Sequence, residues 1–486
     1  MNLVSTYTWC QFTPAFILVG LAALLLLADA LLPRICKRSF ALIGAIGTLG
    51  TALYLHFAAE GSHIFGTLAC VATGLSLLLA FDYKKVSCES IGGSGTEEGT
   101  GEFYALPLVA CAGILCLTQA KDLIMLFVSL EVVTLTSYVL AGYFRRNQGS
   151  IEAGIKYLVL GAMSTGILVY GTAWYFGMVG SFALDARTVV YAMMGGVAGT
   201  PQVAVGFLMA VALLFAGAFF KVGAAPMHVW IPDVYQGAPT PTTTFLAVGS
   251  KTAGFALLCI LARPFAHMAV PGAFMGDVLV WSFAIVAAAT LLIGNLGALR
   301  QNNLKRLLGY SSIGQAGFIL VFFLNMGSRS LTGLVGAYML AYTLATAAAF
   351  FAVAMVRTQR GSEEIAAFRG LGKTNPRTAF LITVSFASLA GVPLTLGFLV
   401  KMYSFVTAIN AMGAWTGLCW LLPIMVITAG CGFYYYFKVI RAMYWEKTQP
   451  GDQPLQVPVC TAVAMAACVI ALLYLGTVPM LIHGWV

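Results

Sequence analysis

The sequence carries very little charge for its length. Only 9% of the 486 residues are Asp, Glu, Lys or Arg, while 60% are hydrophobic and the mean hydropathy is +0.91. Soluble globular domains carry about a quarter charged residues, so this composition excludes a soluble enzyme. It predicts an all-α polytopic membrane protein whose apolar surface faces the bilayer.

Motifs for cofactor chemistry are absent as well. The eleven cysteines are scattered, no CxxC occurs, and the closest pair, Cys111 and Cys116, lies in an apolar segment. Neither an iron–sulfur ligand set nor a disulfide framework can therefore be read from the spacing. The sequence also lacks a dinucleotide fingerprint, zinc-ligand spacing, a haem motif and a serine nucleophile elbow.

The glycine-rich stretch at 91–102, IGGSGTEEGTGE, is not a phosphate-binding loop. It lacks the GK[ST] ending, and its acidic residues would repel phosphate. We interpret it as a flexible linker. The sequence thus predicts no cofactor or metal centre in this chain.

Long apolar runs are what the sequence does contain. A membrane-spanning helix needs about 20 mainly apolar residues, and fourteen segments meet that condition. The first is longer than the apolar part of a typical signal peptide, so we expect it to be retained. The segments are 12–32, 40–59, 62–82, 103–119, 123–143, 151–176, 203–225, 240–262, 275–298, 306–325, 330–356, 378–409, 416–437 and 456–479.

The net charge of +9 reflects the orientation of these helices and not nucleic-acid binding. Of the 26 lysines and arginines, 18 fall in loops on one side of the predicted membrane and 4 in loops on the other. Basic loops favour the cytoplasmic side, so both termini are predicted on the outer side. Because basic loops alternate so strongly with loops that contain few basic residues, an even number of helices is also favoured.

The remaining four basic residues lie inside predicted helices, and all are lysines: Lys156, Lys221, Lys251 and Lys401. Glu131 is the one acid deep inside a segment. A charge at mid-bilayer costs on the order of 3 kcal/mol, so these residues favour a functional role. A desolvated lysine can release its proton, which arginine does not, and a nearby carboxylate favours the charged lysine. The alternative is a static ion pair that fixes helix packing, and Lys156 is close enough to a helix end to reach the interface.

Helix-breaking residues accompany three of these lysines. Pro226 follows Lys221 and frees backbone carbonyls that need polar partners, which predicts a hydrated pocket beside the lysine. His228 lies in the same break and can relay a proton, although it could equally be a structural hydrogen-bonding group. The other breaking residues are Pro239 and Pro241 before Lys251, and Gly391, Pro393 and Gly397 before Lys401. Interrupted helices of this kind point to a transport site.

Five stretches of the sequence resemble those of a known family. They read SLEVVTLTSYVLAGY, EAGIKYLVLGAMSTG, FKVGAAPMHVWIPDVYQGAPTPTTTFLAVGSKTAGFALL, NNLKRLLGYSSIGQAGFIL and LAGVPLTLGFLVKMY. Together they resemble the antiporter-like membrane subunits of respiratory complex I. Within that family, the motif DVYQGAPTP and the lysine at position 401 are most similar to the subunit N type of bacterial NADH–quinone oxidoreductase.

The resemblance implies an architecture. It implies fourteen helices with two inverted five-helix repeats, helices 4–8 and 9–13, each containing a broken helix. The corresponding division of the chain is 1–102 for the first three helices and a cytoplasmic loop, 103–262 and 263–445 for the two repeats, and 446–486 for the last helix.

The resemblance also implies roles for the buried charges. Glu131 matches the glutamate that pairs with the pumping lysine, which matches Lys221. Lys251 matches a bridging lysine, His228 lies on the connecting path, and Lys401 matches a residue near the exit side. The role of Lys156, which matches a lysine on the sixth helix, stays open.

The implied function is proton translocation by a membrane subunit of NADH–quinone oxidoreductase in the inner (plasma) membrane of a bacterium. The implied partners are other membrane subunits, including antiporter-like ones, with membrane lipid around them and FMN and iron–sulfur clusters in partner subunits. Three alternatives stay open: a subunit of a multisubunit cation/proton antiporter, an independent transporter for a small solute, and a scaffold with inert charges.

Overall fold

The computed structural model describes residues 9–31, 38–57, 63–83, 101–185, 201–268, 271–272, 274–447 and 454–480. Several sequence predictions concern residues outside these ranges. They are the loop residues Arg34, Lys37, Lys84, Lys85 and Arg187, and residues 91–100 of the glycine-rich stretch.

The described residues form an all-helical protein. Fourteen helices are long and apolar enough to cross a membrane, which confirms the predicted number and order. Extended pairing within the described ranges is limited to two isolated bridges, Asp122 with Ala183 and Asn303 with Glu364. The division into two inverted repeats stays a prediction.

The helices fall into two compact units. Those of the first unit are α1 (Trp9–Leu31), α2 (Arg38–Phe57), α3 (Ile64–Asp82), α4 (Gly101–Thr118), α5 (Leu123–Ala141), α6 (Gln148–Val179), α7 (Pro201–Val222) and α10 (Lys251–Ala262). Those of the second unit are α8 (Trp230–Gly237), α9 (Thr240–Phe245), α11 (Phe274–Leu299), α12 (Leu304–Leu320), α13 (Leu331–Arg360), α14 (Leu371–Thr374), α15 (Pro376–Ala390), α16 (Leu396–Ala414), α17 (Leu421–Trp445) and α18 (Val459–Thr477).

Local sequence explains where helix α5 begins and how closely helices α11 and α12 pack. The Asp122 carboxylate accepts a hydrogen bond from the Met125 amide at 2.8 Å and so caps α5. In the second unit, a Cβ atom on Gly294 of α11 would lie 2.3 Å from the amide nitrogen of Gly314 on α12. Small residues of this kind let membrane helices approach backbone to backbone.

The first predicted break is present. Helix α7 ends at Val222, four residues before Pro226, whereas the sequence predicted a helix as far as residue 225. The shorter helix has a direct cause, because a proline ring clashes with the carbonyl four residues earlier. The chain then turns through Gly223, whose φ of 76° is left-handed, before α8 begins at Trp230.

The other two breaks differ in kind. The predicted segment 240–262 is helical but contains a five-residue π-helical turn, Leu246–Ser250, which the sequence did not predict. The segment predicted at 378–409 is interrupted as expected, and it forms α15 and α16 with Gly391 (φ 90°) and Leu394 (φ 72°) in between. Helix α16 then passes so close that a Cβ on Gly397 would lie 1.9 Å from the Ser388 carbonyl oxygen.

Candidate functional site

Lys221 lies at the end of α7, within the first unit. Its side-chain nitrogen donates a hydrogen bond to the Thr134 hydroxyl of α5 at 2.9 Å. Thr134 donates its own hydrogen to the Leu130 carbonyl at 2.6 Å, so its oxygen serves Lys221 as an acceptor. The helix break follows directly, because Val222 is the last residue of α7.

Glu131 lies three residues before Thr134, on the same face of α5. One of its carboxylate oxygens accepts a hydrogen bond from the Thr165 hydroxyl of α6 at 2.9 Å. No direct ion pair joins Glu131 to Lys221, although the carboxylate is close enough to attract the ammonium group. The pair expected from the resemblance is thus indirect here, because each charge bonds to a threonine hydroxyl instead.

Lys251 is the first residue of α10 and follows the π-helical turn directly. His228 belongs to the second unit, in the loop between α7 and α8. Its Nδ1 atom is buried and has no hydrogen-bond partner of good geometry among the described residues. A buried ring nitrogen of this kind is available to a proton or to a bridging water.

Lys401 of α16 is held by the end of α15, within the second unit. Its nitrogen donates to the carbonyl oxygens of Leu389 at 2.7 Å and Ala390 at 2.9 Å. These carbonyls are free because the helix breaks at Gly391, and a helix C-terminus carries partial negative charge that favours a cation. The break therefore places polar backbone groups beside Lys401, of the kind that the sequence predicted beside Lys221 at the break before Pro226.

Hydroxyl and amide groups surround the same pocket. Gln315 of α12 donates to the Leu389 carbonyl at 2.9 Å, and the Tyr338 hydroxyl donates to the Gln315 side-chain oxygen at 2.5 Å. A cavity of about 10 Å³ lies between these side chains and Lys401, close to the room that one water molecule needs. Gln315 and Tyr338 were not predicted, because a polar side chain on a membrane helix has no signature without its neighbours.

Burial separates Lys156 from the other three lysines. Lys221, Lys251 and Lys401 are only 5%, 2% and 6% exposed, whereas the Lys156 side chain is 41% exposed. Lys156 pairs with Glu152 one turn earlier on α6 at 2.6 Å. An exposed pair of this type is ordinary at a helix end and carries no functional signal on its own.

One buried lysine was assigned wrongly by the sequence analysis. Lys305 was counted among the 18 basic residues in loops on one side of the predicted membrane. It lies instead at the start of α12 and is fully buried. Its nitrogen donates to the Ala238 carbonyl at 2.7 Å and lies 3.2 Å from the Glu363 carboxylate, which also pairs with Arg357. The sequence signal was ambiguous because Arg306 follows directly, and two adjacent basic residues are typical of a loop.

The described residues do not assemble a metal centre. No group of three or more His, Cys, Asp or Glu side chains in these ranges is placed to hold a metal ion. The chemistry that this arrangement can perform is proton binding and release at buried amines and a carboxylate.

Comparison with known proteins places the chain in a family. A family model described as "NADH:quinone oxidoreductase/Mrp antiporter, TM" matches residues 120–428, which include Glu131, Lys221, Lys251 and Lys401. The NADH-quinone oxidoreductase subunit N 1 of Opitutus terrae is 36% identical over 96% of this chain and 94% of that protein. The subunit N of Brevibacillus brevis is 32% identical over 99% of this chain and 95% of that protein.

The chain belongs to the NADH-quinone oxidoreductase subunit N family. Solved structures agree with this subunit N fold. A chain of respiratory complex I from Thermus thermophilus, solved with bound aureothin, matches with a TM-score of 0.77 and 29% identity over 97% of this chain and 99% of that one. A chain of the Mrp complex from Dietzia sp. matches with a TM-score of 0.78 but 19% identity over 98% and 96% of the two chains, which shows a shared fold alone.

Proposed function

We propose that this multi-pass membrane protein is a proton-translocating subunit of an NADH–quinone oxidoreductase. The observation that carries the proposal is Lys221, a buried lysine at a helix break, hydrogen-bonded to the helix that bears Glu131. A buried ammonium is unfavourable unless it is paired, so small changes at Glu131 can decide whether Lys221 keeps its proton.

Thr134 suits this coupling because it does not fix the charge of Lys221. Its hydrogen is committed to the Leu130 carbonyl, so it accepts from either the ammonium or the neutral amine. The attraction of Glu131 then sets the balance between the two forms. In the proposal, quinone reduction in partner subunits changes that attraction and drives release of the proton from Lys221.

The proposed route begins on the cytoplasmic side and loads Lys221. The proton then passes by way of Lys251 and His228 to Lys401, and it leaves on the outer side. Lys401 suits a late position because the carbonyls of α15 stabilise its charged form without supplying a permanent counter-charge. Lys156 stays outside the proposed route, because it is exposed and already paired.

The same proposal places the chain in a bacterial plasma membrane with both termini on the outer side, since basic loops favour the cytoplasm. Its partners are the other membrane subunits of complex I, including antiporter-like ones. Electrons travel through partner subunits, which we expect to carry FMN and iron–sulfur clusters. The relatives from Opitutus terrae and Brevibacillus brevis support this assignment through their subunit N identity.

A second candidate is a subunit of a cation/proton antiporter. The matching family model covers both oxidoreductase and Mrp antiporter subunits, so the lysine–glutamate core fits either function. The two differ in their driving reaction. NADH-dependent pumping favours the oxidoreductase, whereas sodium-dependent proton uptake without NADH favours the antiporter.

Replacing Lys251 tests the proposed route. Lys251→Ala is expected to lower NADH-driven acidification of inverted membrane vesicles by at least about tenfold, because the route loses a proton carrier. Lys251→Arg is expected to fall as far, since arginine keeps its proton. Lys156→Ala, which removes an exposed lysine, is expected to pump like the natural protein. Equal pumping by Lys251→Ala and the natural protein, at equal assembly on a native gel, would refute the route.

A further inference from the structure

Gln315 is a buried amide that joins four helices of the second unit. It lies on α12 and is only 5% exposed. Its side-chain nitrogen donates to the Leu389 carbonyl of α15 at 2.9 Å and to the Tyr436 hydroxyl of α17 at 3.2 Å. Its side-chain oxygen accepts from the Tyr338 hydroxyl of α13 at 2.5 Å. Both ends of the amide are therefore bonded.

These partners fix the direction in which the amide points. A backbone carbonyl only accepts hydrogen bonds, so the end of Gln315 that faces Leu389 is the nitrogen. Turning the amide by half a turn would set its oxygen against the Leu389 carbonyl oxygen, and it would remove the acceptor from Tyr338. Gln315 consequently offers the carbonyl end of α15 a donor and no acceptor.

The Leu389 carbonyl is shared between Gln315 and Lys401. A carbonyl oxygen has two lone pairs, and here it accepts from Lys401 at 2.7 Å and from Gln315 at 2.9 Å. The other contacts of the Lys401 ammonium group are the Ala390 carbonyl at 2.9 Å and the Phe318 ring, whose centre is 5.2 Å away. The amide of Gln315 thus occupies an acceptor position on the oxygen that lies nearest to the ammonium group.

No carboxylate lines the small cavity beside Lys401. Its titratable groups, apart from the lysine, are Tyr338 and Tyr342 of α13, while α15 contributes Ser388 and backbone carbonyls. Tyr436 of α17 is reached through Gln315 and also bonds to Ser311. Tyrosine hydroxyls are neutral in the physiological range of pH. Dipoles, and not a counter-charge, therefore decide how firmly Lys401 holds its proton here.

We propose that Gln315 is a positioning residue that weakens the hold of Lys401 on its proton. Its N–H group turns a positive end toward the oxygen that holds the ammonium group, which opposes the charged form of the lysine. Tyr338 keeps the amide in that direction. The proposal rests on the proposed function and deepens it, because it assigns the ease of proton release at Lys401 to a neutral side chain.

A purely structural role for Gln315 makes a different prediction. If the amide only joins helices, its removal lowers the yield of assembled complex and leaves the pH dependence of the assembled complex unchanged. If the amide sets proton release, the pH dependence changes even where assembly is normal. The profile of pumping against pH therefore separates the two roles.

Gln315→Met is the first test variant, because methionine has a similar length and no amide. The whole Leu389 carbonyl then serves Lys401, which should hold its proton more firmly and release it only at higher pH. We expect the pH profile of NADH-driven acidification of inverted vesicles to move up by about one pH unit, which is about what one hydrogen bond to a charged group amounts to. Tyr338→Phe should move it in the same direction, since the amide is then able to turn its oxygen toward Lys401.

Two matched variants control for the loss of an amide and of a hydroxyl. Gln301→Met removes an amide that donates to the Gly297 carbonyl at 3.0 Å, outside the cavity. Tyr175→Phe removes a hydroxyl of the first unit that donates to the Ala183 carbonyl at 2.9 Å. Both should keep the natural pH profile. All rates are divided by the amount of complex assembled on a native gel, and both sides of the vesicle start at the same pH.

A natural profile in both Gln315→Met and Tyr338→Phe would overturn the role of Gln315, and so would a shift to lower pH. If Gln315→Met does not assemble, Tyr338→Phe decides, because it keeps the amide. Lys401→Ala and Lys221→Ala in the same membranes separate this role from the proposed function. If both stop pumping while the test variants keep the natural profile, only the role of Gln315 is wrong. If Lys401→Ala alone pumps normally, the route through Lys401 and the role of Gln315 are wrong, and if both pump normally, the proposed function is wrong.

Discussion

Lys221→Ala is expected to abolish proton pumping while the protein still assembles. Alanine removes the group that takes up and releases the proton, and it leaves the Thr134 oxygen and Glu131 without their cation. Because quinone reduction is coupled to pumping in the proposed function, both activities should fall by at least about a hundredfold. The measurement follows NADH–quinone oxidoreduction and the NADH-driven pH gradient together in the same membranes, with assembly checked on a native gel.

Two further variants control this result. Lys447→Ala removes an exposed lysine and should leave both activities unchanged. Lys221→Arg keeps the positive charge but not the ability to release a proton, so it should assemble and still fail to pump. Unchanged activity in Lys221→Ala would mean that the buried charge is inert. Sodium tolerance at alkaline pH would then become the deciding assay between a scaffold and an antiporter subunit.

The number and order of the membrane-spanning helices could be predicted from the sequence because two physical constraints leave a direct trace. A bilayer demands about 20 mainly apolar residues for each span, and 22 of the 26 lysines and arginines fall in loops or at the ends of the predicted spans. Proline adds a third trace, since Pro226 ends α7 at the carbonyl with which its ring would clash. These constraints act on consecutive residues, so they can be read without knowing any tertiary contact.

The π-helical turn at Leu246–Ser250 could not be predicted in the same way. A π turn adds one residue to the ring closed by each hydrogen bond, and no particular side chain is required for it. The residues LAVGS are as compatible with an α-helix as with a π turn. The turn matters because Lys251 follows it directly, so it sets the direction in which that lysine leaves the helix.

The two threonine hydroxyls that bond to the charged groups of the candidate site were not predicted, for a related reason. The lysines and Glu131 stood out because a charge in an apolar run is costly. Thr134 and Thr165 did not, since a threonine on a membrane helix usually bonds to its own helix carbonyls. Only the packing of α5 against α6 and α7 shows that these two hydroxyls separate Glu131 from a direct pair with Lys221.

The burial of Lys305 also could not be predicted from the sequence alone. Its ion pair gives the prediction with the largest expected effect on stability. Its nitrogen lies between the Ala238 carbonyl and the Glu363 carboxylate, and Glu363 is held in turn by Arg357. Glu363→Ala would leave a fully buried ammonium with a neutral carbonyl in place of its counter-charge. Breaking a buried ion pair from one side costs roughly 3 to 5 kcal/mol, so the free energy of unfolding should fall by about that amount. Thermal and denaturant unfolding of the purified complex in detergent measures the change.

Two comparisons show whether an uncompensated charge causes the loss. Asp233→Ala removes the carboxylate paired with Arg306, the residue next to Lys305, but that pair is partly exposed to solvent. It should cost at most about 1 kcal/mol. The double replacement Lys305→Met with Glu363→Ala removes the buried charge together with its partner, so it should recover much of the stability lost in Glu363→Ala. If the double replacement is as unstable as Glu363→Ala, the carboxylate acts through Arg357 and Asn303 and not through Lys305, because those two contacts are lost equally in both proteins.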